Sequence, residues 1–424
     1  MFEVNKWLYP GIRIKRWIFL FVLSIIVLGT GLSGLMGQLV RNIRIEALNI
    51  DDFFYHLQRL KFIDFFLLAL GIGGIVLAIR RVYFSVLAIF VPNKQGEFIN
   101  IAYKRAKLKR GPKIATIGGG TGLPNVLRGL KEYTLNLSAI VTVADDGGSS
   151  GRLRKDYRIL PPGDIRNCLV ALADEETLLG RLFQYRFETG GDLNGHNFGN
   201  IYITALTHVV GDFTKAVNES SKVLAIHGRV LPVSLDNITL KAVLEDGREI
   251  SGESKIPEAN GKIDRLEIIP KNPMPYEEAV CAIKEADAVI IGPGSLYTSI
   301  IPNLLVPGIK EALLNTKTLK IYVCNIMTQP GETDGYKVSD HLNAILKHTG
   351  AGKVIDYVIA NNKNARSDVL KRYESENSHP VEIDREKISD MGIELIETEL
   401  FEDGEYIRHS EEMLGKAIMK TMII

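Results

Sequence analysis

The chain has 424 residues, 51 basic against 50 acidic side chains, and a formal net charge of +1. That length suits one large α/β domain with an appendage, and the balanced charge gives no reason to expect nucleic acid or a polyacidic partner. Cys168, Cys281 and Cys324 are far apart with no C-x-x-C spacing, and the eight histidines form no H-E-x-x-H helix, so neither a disulfide framework nor a zinc site is implied.

The first element in the chain is apolar. Trp17 to Val40 carries no charged side chain, is long enough to cross a bilayer, and is bracketed by Arg16 and Arg41. It is too long for a signal peptide and ends in no A-x-A site. A second run, Phe65 to Ile79, stops at Arg80 and Arg81; Phe62 and Ile63 extend it if Asp64 sits near the interface, and a buried soluble helix is the alternative. Gly29, Gly31, Ser33 and Gly34 in the first run, with Gly71, Gly73 and Gly74 in the second, would let two helices pack closely.

Lys6, Arg13, Lys15 and Arg16 precede the first run, Arg80, Arg81 and a series from Lys94 to Arg110 follow the second, and the intervening loop mixes signs. The positive-inside rule then puts both termini in the cytoplasm. Val82 to Val91 reads as lying along the membrane surface, and Tyr103 to Lys113 as a basic linker near anionic headgroups. The expected organisation is a membrane hairpin over 1–92 (spans near 17–40 and 62–79), a linker over 93–112, and a cytoplasmic domain over 113–424.

That domain opens with a β-branched run, Ile114 to Ile117, followed by Gly118, Gly119, Gly120, Thr121 and Gly122 and an amphipathic helix pattern. Glycines at 118 to 120 permit positive φ and close approach to anionic oxygens, and the helix adds its positive end. A second run, Leu137 to Val143, ends in Asp145, Asp146, Gly147, Gly148, Ser149 and Ser150. Carboxylates beside a phosphate site call for a cation or a sugar hydroxyl between them, so Asp145 and Asp146 are candidate metal ligands. PPGDIRN then supplies Asp164, Arg166 and Asn167. Neither the dinucleotide G-x-G-x-x-G spacing nor a P-loop is present, which argues against a dehydrogenase.

Helices are predicted over 168–173, 176–187 and 198–209, with a polar loop between the last two that carries Asn194, His196, Asn197 and Asn200. Asn197 could cap the helix at Phe198 or touch a ligand; His196 is the better ligand candidate. Strands at 229–233, 238–244, 249–251 and 265–269 read as a β-rich insertion with a hairpin at Asp246-Gly247, and GESKI at 252–256 is either a flap or a lid over the ligand.

The α/β pattern resumes with a helix over 275–285, a strand over 288–291, and the turn Gly292, Pro293, Gly294, Ser295. A strand at 319–324 leads to Asn325, Thr328, Gln329, Glu332 and Thr333, and one at 354–360 to Asn361 and Asn362. Loops of this kind at the carboxyl ends of successive strands form one composite site. Tyr373 and Arg408 could stack on a base and pair with a diphosphate, or be plain surface residues.

Taken together, GGGTGL, TVADDGGSSGRLR, PPGDIRN, LFQYRF, GHNFGN, GPGSLYTSI and NIMTQPGET resemble the gluconeogenesis-factor (YvcK-like) family, relatives of the CofD group of 2-phospho-L-lactate transferases. The resemblance runs from about Lys113 to the C-terminus and leaves out residues 1–112. It implies a Rossmann-like three-layer αβα domain holding a nucleotide-diphosphate type of ligand, with UDP-N-acetylglucosamine or a related nucleotide sugar expected. It also implies a regulator linking carbon status to cell-wall synthesis and cell shape, with a cell-wall synthesis protein as partner and no established reaction. The transferase branch uses Mg2+, and both branches share the acidic position matched by Asp145 and Asp146; Tyr373 and Arg408 fall in the region associated with nucleotide-sugar binding. A homo-oligomer is the expected assembly. The ADDGGSSGRLR form looks like the regulator branch, so a membrane-tethered sensor is favoured over a magnesium-dependent transferase in which Asp164 or His196 would act on a proton. The motifs show no Ser–His or Cys–His arrangement that demands covalent chemistry.

Overall fold

In the computed structural model, residues 15–43, 62–90, 98–173, 178–188, 191–350 and 353–423 are described. The chain divides into two units, Met1–Lys104 and Arg105–Ile424.

The first unit contains helices Lys15–Ile43 and Phe62–Phe90. Within them, Lys15–Gly37 and Ile63–Ser85 are long and apolar enough to cross a membrane. The two pack along a seam of small residues: a Cβ at Gly71 would lie 2.8 Å from the Leu28 backbone, one at Gly31 3.1 Å from Leu68 N, and one at Gly34 would run into the Asp64 carboxylate. Close approach of backbones is what such residues permit. Gly29 and Gly73, expected in that seam, instead face open space, because helical periodicity turns them away from Gly31, Gly34, Gly71 and Gly74. The segment after Arg81 is no separate surface element. The helix continues to Phe90, since nothing from 82 to 90 breaks it; Val91 lies outside the described residues. So do Lys6, Arg13 and the charges at 44–61 on which the expected orientation draws. Residues 98–109 of the basic linker form a further helix.

Among the described residues the second unit has ten strands: β1 (Ile114–Gly118), β2 (Leu137–Val141), β3 (Arg229–Pro232), β4 (Thr239–Leu244), β5 (Glu249–Ser251), β6 (Ile263–Ile269), β7 (Ala288–Ile291), β8 (Leu319–Val323), β9 (Tyr357–Asn361) and β10 (Glu394–Thr398). Seven of them form one parallel sheet in the order β10-β9-β8-β7-β1-β2-β3. Its central strands are buried on both faces, as continuous apolar runs such as Ile114 to Ile117 and Ala288 to Ile291 require. Helices 122–130, 163–172 and 411–421 cluster on one side and 277–285 and 307–315 on the other, giving three layers.

The β-rich insertion is a separate antiparallel sheet, β5-β4-β6, with the hairpin at Asp246-Gly247. Two expectations shift. Arg229 to Pro232 belongs to the main sheet as its edge strand beside β2, not to the insertion. Gly148, Ser149 and Ser150 do not prolong the second turn but open a helix, Gly148–Tyr157, starting from Gly147 in an extended conformation.

Candidate functional site

Moving outward from β1, the connections run through β2 and β3 on one side and β7 to β10 on the other, so the β1–β7 boundary is a topological switch point. A crevice opens at the carboxyl ends of strands at such a point. The turns after β1 and β7 meet there. A side chain at Gly122 would run into the Pro293 carbonyl, and one at Gly119 would come within 2.7 Å of Asp164 Oδ2. Of the three consecutive glycines only Gly120, with φ +61, adopts the left-handed conformation; Gly118 completes the strand, and Gly119 is small for lack of room. Gly120 N–H donates to Asp164 Oδ2 at 2.8 Å. Thr121 makes no side-chain capping bond to helix Gly122–Leu130, and the first turn of this helix lines the crevice through Gly122, Pro124 and Asn125; Pro124 itself has no N–H to offer.

A cavity of about 540 Å³ occupies the crevice, walled by Gly120, Thr121, Gly122, Asn167, Gly294, Ser295, Asn325, Thr328, Gln329, Tyr373 and Arg408. Sequence reasoning named all of these; Arg128 and Gln184 also line the cavity and were not singled out, and His409, next to Arg408, lines it too. On the far wall the Asn325 amide clamps Gly294, accepting from its N–H at 3.1 Å and donating to its C=O at 2.8 Å. Gln329 Nε2 donates to Ser295 Oγ at 2.8 Å. The Gly294 N–H is thereby committed within the protein. Thr328 Oγ1 accepts from His379 N–H, and Tyr373 Oη accepts from Ile407 N–H at 2.9 Å. Burial pushes His409 down to about 4, and its Nε2 lies 3.2 Å from the Cys324 carbonyl.

Beside the cavity lies an acidic group. Asp145 accepts from Gly147 N–H at 2.9 Å, and burial raises its pKa. Asp164 is pushed up to about 6 by burial, with Asp145 adding to the effect. Glu253 and Glu332 join them. Burial and then the neighbouring Asp145, Asp146 and Asp164 raise Glu253 to about 8. Burial raises Glu332 to about 7 against hydrogen bonds from Tyr297 N–H and Thr298. Glu253 was not among the candidates, because its approach depends on the insertion folding back.

Asp146 makes that approach. Its two oxygens accept from Glu253 N–H at 3.0 Å and Ser254 N–H at 2.9 Å. Each Asp146 oxygen thus already accepts one backbone amide, and among the described residues no group of three or more His, Cys, Asp or Glu side chains is placed to hold an ion.

Ser149, Ser150, His196, Asn197, Asn200 and Arg166 form a buried network on the β2 side. Asn197 is the helix cap, accepting from Gly199 N–H at 2.9 Å. Ser149 Oγ accepts from Asn197 N–H and from Asn200 Nδ2, each at 3.2 Å, which leaves its proton for His196 Nδ1 at 3.1 Å. A Ser–His contact thus exists where the motifs suggested none, but its hydroxyl is locked into scaffold bonds. Arg166 donates to Asn200 Oδ1 at 2.7 Å and Asn167 Oδ1 at 2.6 Å, and burial, with Arg186, lowers it to about 10. The unanticipated Arg154 fixes the acidic turn from behind, donating to the Ala144 and Asp145 carbonyls at 3.1 and 3.2 Å.

A parallel sheet with this switch point, glycine turn and crevice defines a doubly wound α/β domain. The chain belongs to the CofD family, described as 2-phospho-L-lactate transferase CofD, which matches over residues 114–401. Its relatives include the gluconeogenesis factor of Bacillus subtilis (strain 168), 48% identical over 312 residues, covering 73% of this chain and 98% of the relative. A relative from Nostoc sp. (strain PCC 7120), described as "Putative gluconeogenesis factor", is 47% identical over 98% of this chain and 92% of its own length, so the match takes in the N-terminal helices. The crystal structure of a UPF0052-family protein from Bacillus halodurans superposes with a TM-score of 0.70 at 47% identity, covering 73% of this chain and 99% of that one.

Proposed function

We propose that the protein is a membrane-tethered regulator that binds a nucleotide sugar of the UDP-N-acetylglucosamine type and, through that occupancy, couples carbon metabolism to cell-wall synthesis and cell shape. The observation that carries this reading is the makeup of the cavity at the switch point. The start of helix Gly122–Leu130, which no side chain caps, suits a diphosphate, and Tyr373 with Arg408 in the same cavity suits a base and its phosphates. The relatives' name, gluconeogenesis factor, supports the metabolic side. The two apolar helices support the tether; on this reading the large domain lies on the cytoplasmic side and a cell-wall synthesis protein is the partner.

A magnesium-dependent transferase of the 2-phospho-L-lactate type is the second reading. It is favoured by the family's description and by Asp164, whose carboxylate, held near 6 beside the glycine turn, could take a proton at neutral pH. Calorimetry with UDP-N-acetylglucosamine and with GDP separates the two. Tight binding of the uridine sugar without released nucleotide supports the regulator. Preference for the guanine nucleotide, with Mg2+-dependent turnover lost in Asp164→Asn, replaces it with the transferase.

A further inference from the structure

We infer that Tyr406 is a positioning residue that holds the Arg408 guanidinium at the cavity wall for the anionic part of the ligand; this rests on the nucleotide-sugar reading. Arg408 lines the cavity, whereas Tyr406 does not. Tyr406 is 58% exposed. Its ring is nevertheless occupied. The guanidinium carbon of Arg408 lies 5.6 Å from the ring centroid and that of Arg372 lies 5.8 Å from it, both within cation–π range.

The segment that carries Tyr406 is tied down on both sides by consecutive residues of helix Ser367–Ser375. Arg372 Nη1 donates to the Glu405 carbonyl at 3.1 Å, and Tyr373 Oη accepts from Ile407 N–H at 2.9 Å. Residues 405 and 407 are therefore fixed, and residue 406 projects between them. An arginine side chain loses much rotamer freedom when it binds a phosphate, and stacking on a fixed ring removes part of that loss beforehand. Holding two guanidinium groups on one ring also concentrates positive charge beside the wall where Glu376 is the acidic counterpart. Arg372 thus acts on the ligand through Tyr406, without lining the cavity itself.

The test uses the full chain in detergent micelles and four variants, Tyr406→Phe, Tyr406→Leu, Arg408→Ala and the double variant Tyr406→Leu with Arg408→Ala. Calorimetry with UDP-N-acetylglucosamine and with inorganic pyrophosphate reads the ligand arm. Arg-selective NMR of the ligand-free protein reads the order of the Arg408 Nε–H group. The phenylalanine variant keeps the ring face and is expected to bind like the wild type. The leucine variant keeps bulk but no π-face, and is expected to bind about three- to fivefold more weakly at unchanged Tm, with a more mobile Arg408. That loss should vanish in the Arg408→Ala background. An Arg408 signal indifferent to Tyr406→Leu overturns the inference whatever the wild type binds, as does a leucine-variant loss that persists without Arg408. A wild type that binds neither probe, while Arg408 order still depends on the ring, overturns the nucleotide-sugar reading instead.

Discussion

Asp146 accepts the backbone N–H of Glu253 at 3.0 Å across 107 residues of sequence. One carboxylate at the end of the second strand thus sets where another carboxylate, carried by the insertion, enters the acidic group. Replacing Asp146 with Asn puts an amide N–H2 where one backbone N–H now finds an acceptor. We expect hydrogen–deuterium exchange over residues 249–258 to accelerate in Asp146→Asn while exchange in β1 and β7 stays unchanged. Equal protection in both proteins would dismiss Asp146 as the anchor.

Glu253 gives a pH dependence with a definite sign. Its carboxyl is held near 8 in the folded domain against an ordinary value of 4.5. The folded state therefore binds more protons than the unfolded one between those values, and stability falls as pH rises through that window. The contribution is fully present below about pH 4.5 and lost above about pH 8. Glu253→Gln removes the penalty, so its Tm relative to the wild type should be higher at pH 8.5 than at pH 5, by about 2–4 °C. A constant difference across that range would count against the convergence of Glu253 with Asp145 and Asp164.

Gly122 tests the meeting of the two turns. An alanine there drives its methyl into the Pro293 carbonyl, a backbone atom that cannot rotate away. Overpacking of this kind costs about 1–3 kcal/mol, and the displaced turn should also lose ligand affinity. Chemical denaturation and calorimetry on Gly122→Ala check both effects, and wild-type values in both would mean the turns are not in contact.

Asn325 is the counterpart on the other wall. Asn325→Ala leaves both polar groups of Gly294 without their partner, at a cost of about 1–2 kcal/mol. The freed Gly294 N–H then becomes available to an anion. Stability should therefore fall while pyrophosphate binding falls less than UDP-N-acetylglucosamine binding. Parallel losses for both ligands would show that the clamp shapes the whole wall and not the amide alone.

In the N-terminal unit, the seam predicts an asymmetry between two glycines of one helix. Gly34→Leu would collide with the Asp64 carboxylate, whereas a side chain at Gly37 meets nothing within 4 Å. Cysteine cross-linking between the two helices should fail in the first variant and persist in the second.

Much of this was legible in the sequence because it is local. Ile114 to Gly122 and Ala288 to Ser295 each declare a strand and a glycine turn within ten residues, and the walls of the cavity follow from loops at strand ends. What stayed hidden depends on long-range pairing. Arg229 to Pro232 has the pattern of any short strand, and only its registry with Ser138 to Val141 assigns it to the main sheet. Glu253 in GESKI carries no local sign that it will face Asp164. The chemistry of Asp146 likewise changed meaning: a carboxylate free in sequence is, once folded, committed to two backbone amides. The gluconeogenesis-factor resemblance supplied Tyr373 and Arg408, but not the ring of Tyr406 beside them.

The neighbours of β1 arrive at very different times during translation. β2 is synthesised within about thirty residues of it, but β7 and Pro293 emerge only after the whole insertion. One edge of the central strand must therefore wait, unpaired, while the ribosome makes the antiparallel sheet. The crevice has no half-built form: a nascent chain cut short before Pro293 carries the glycine turn but has nothing to close it against.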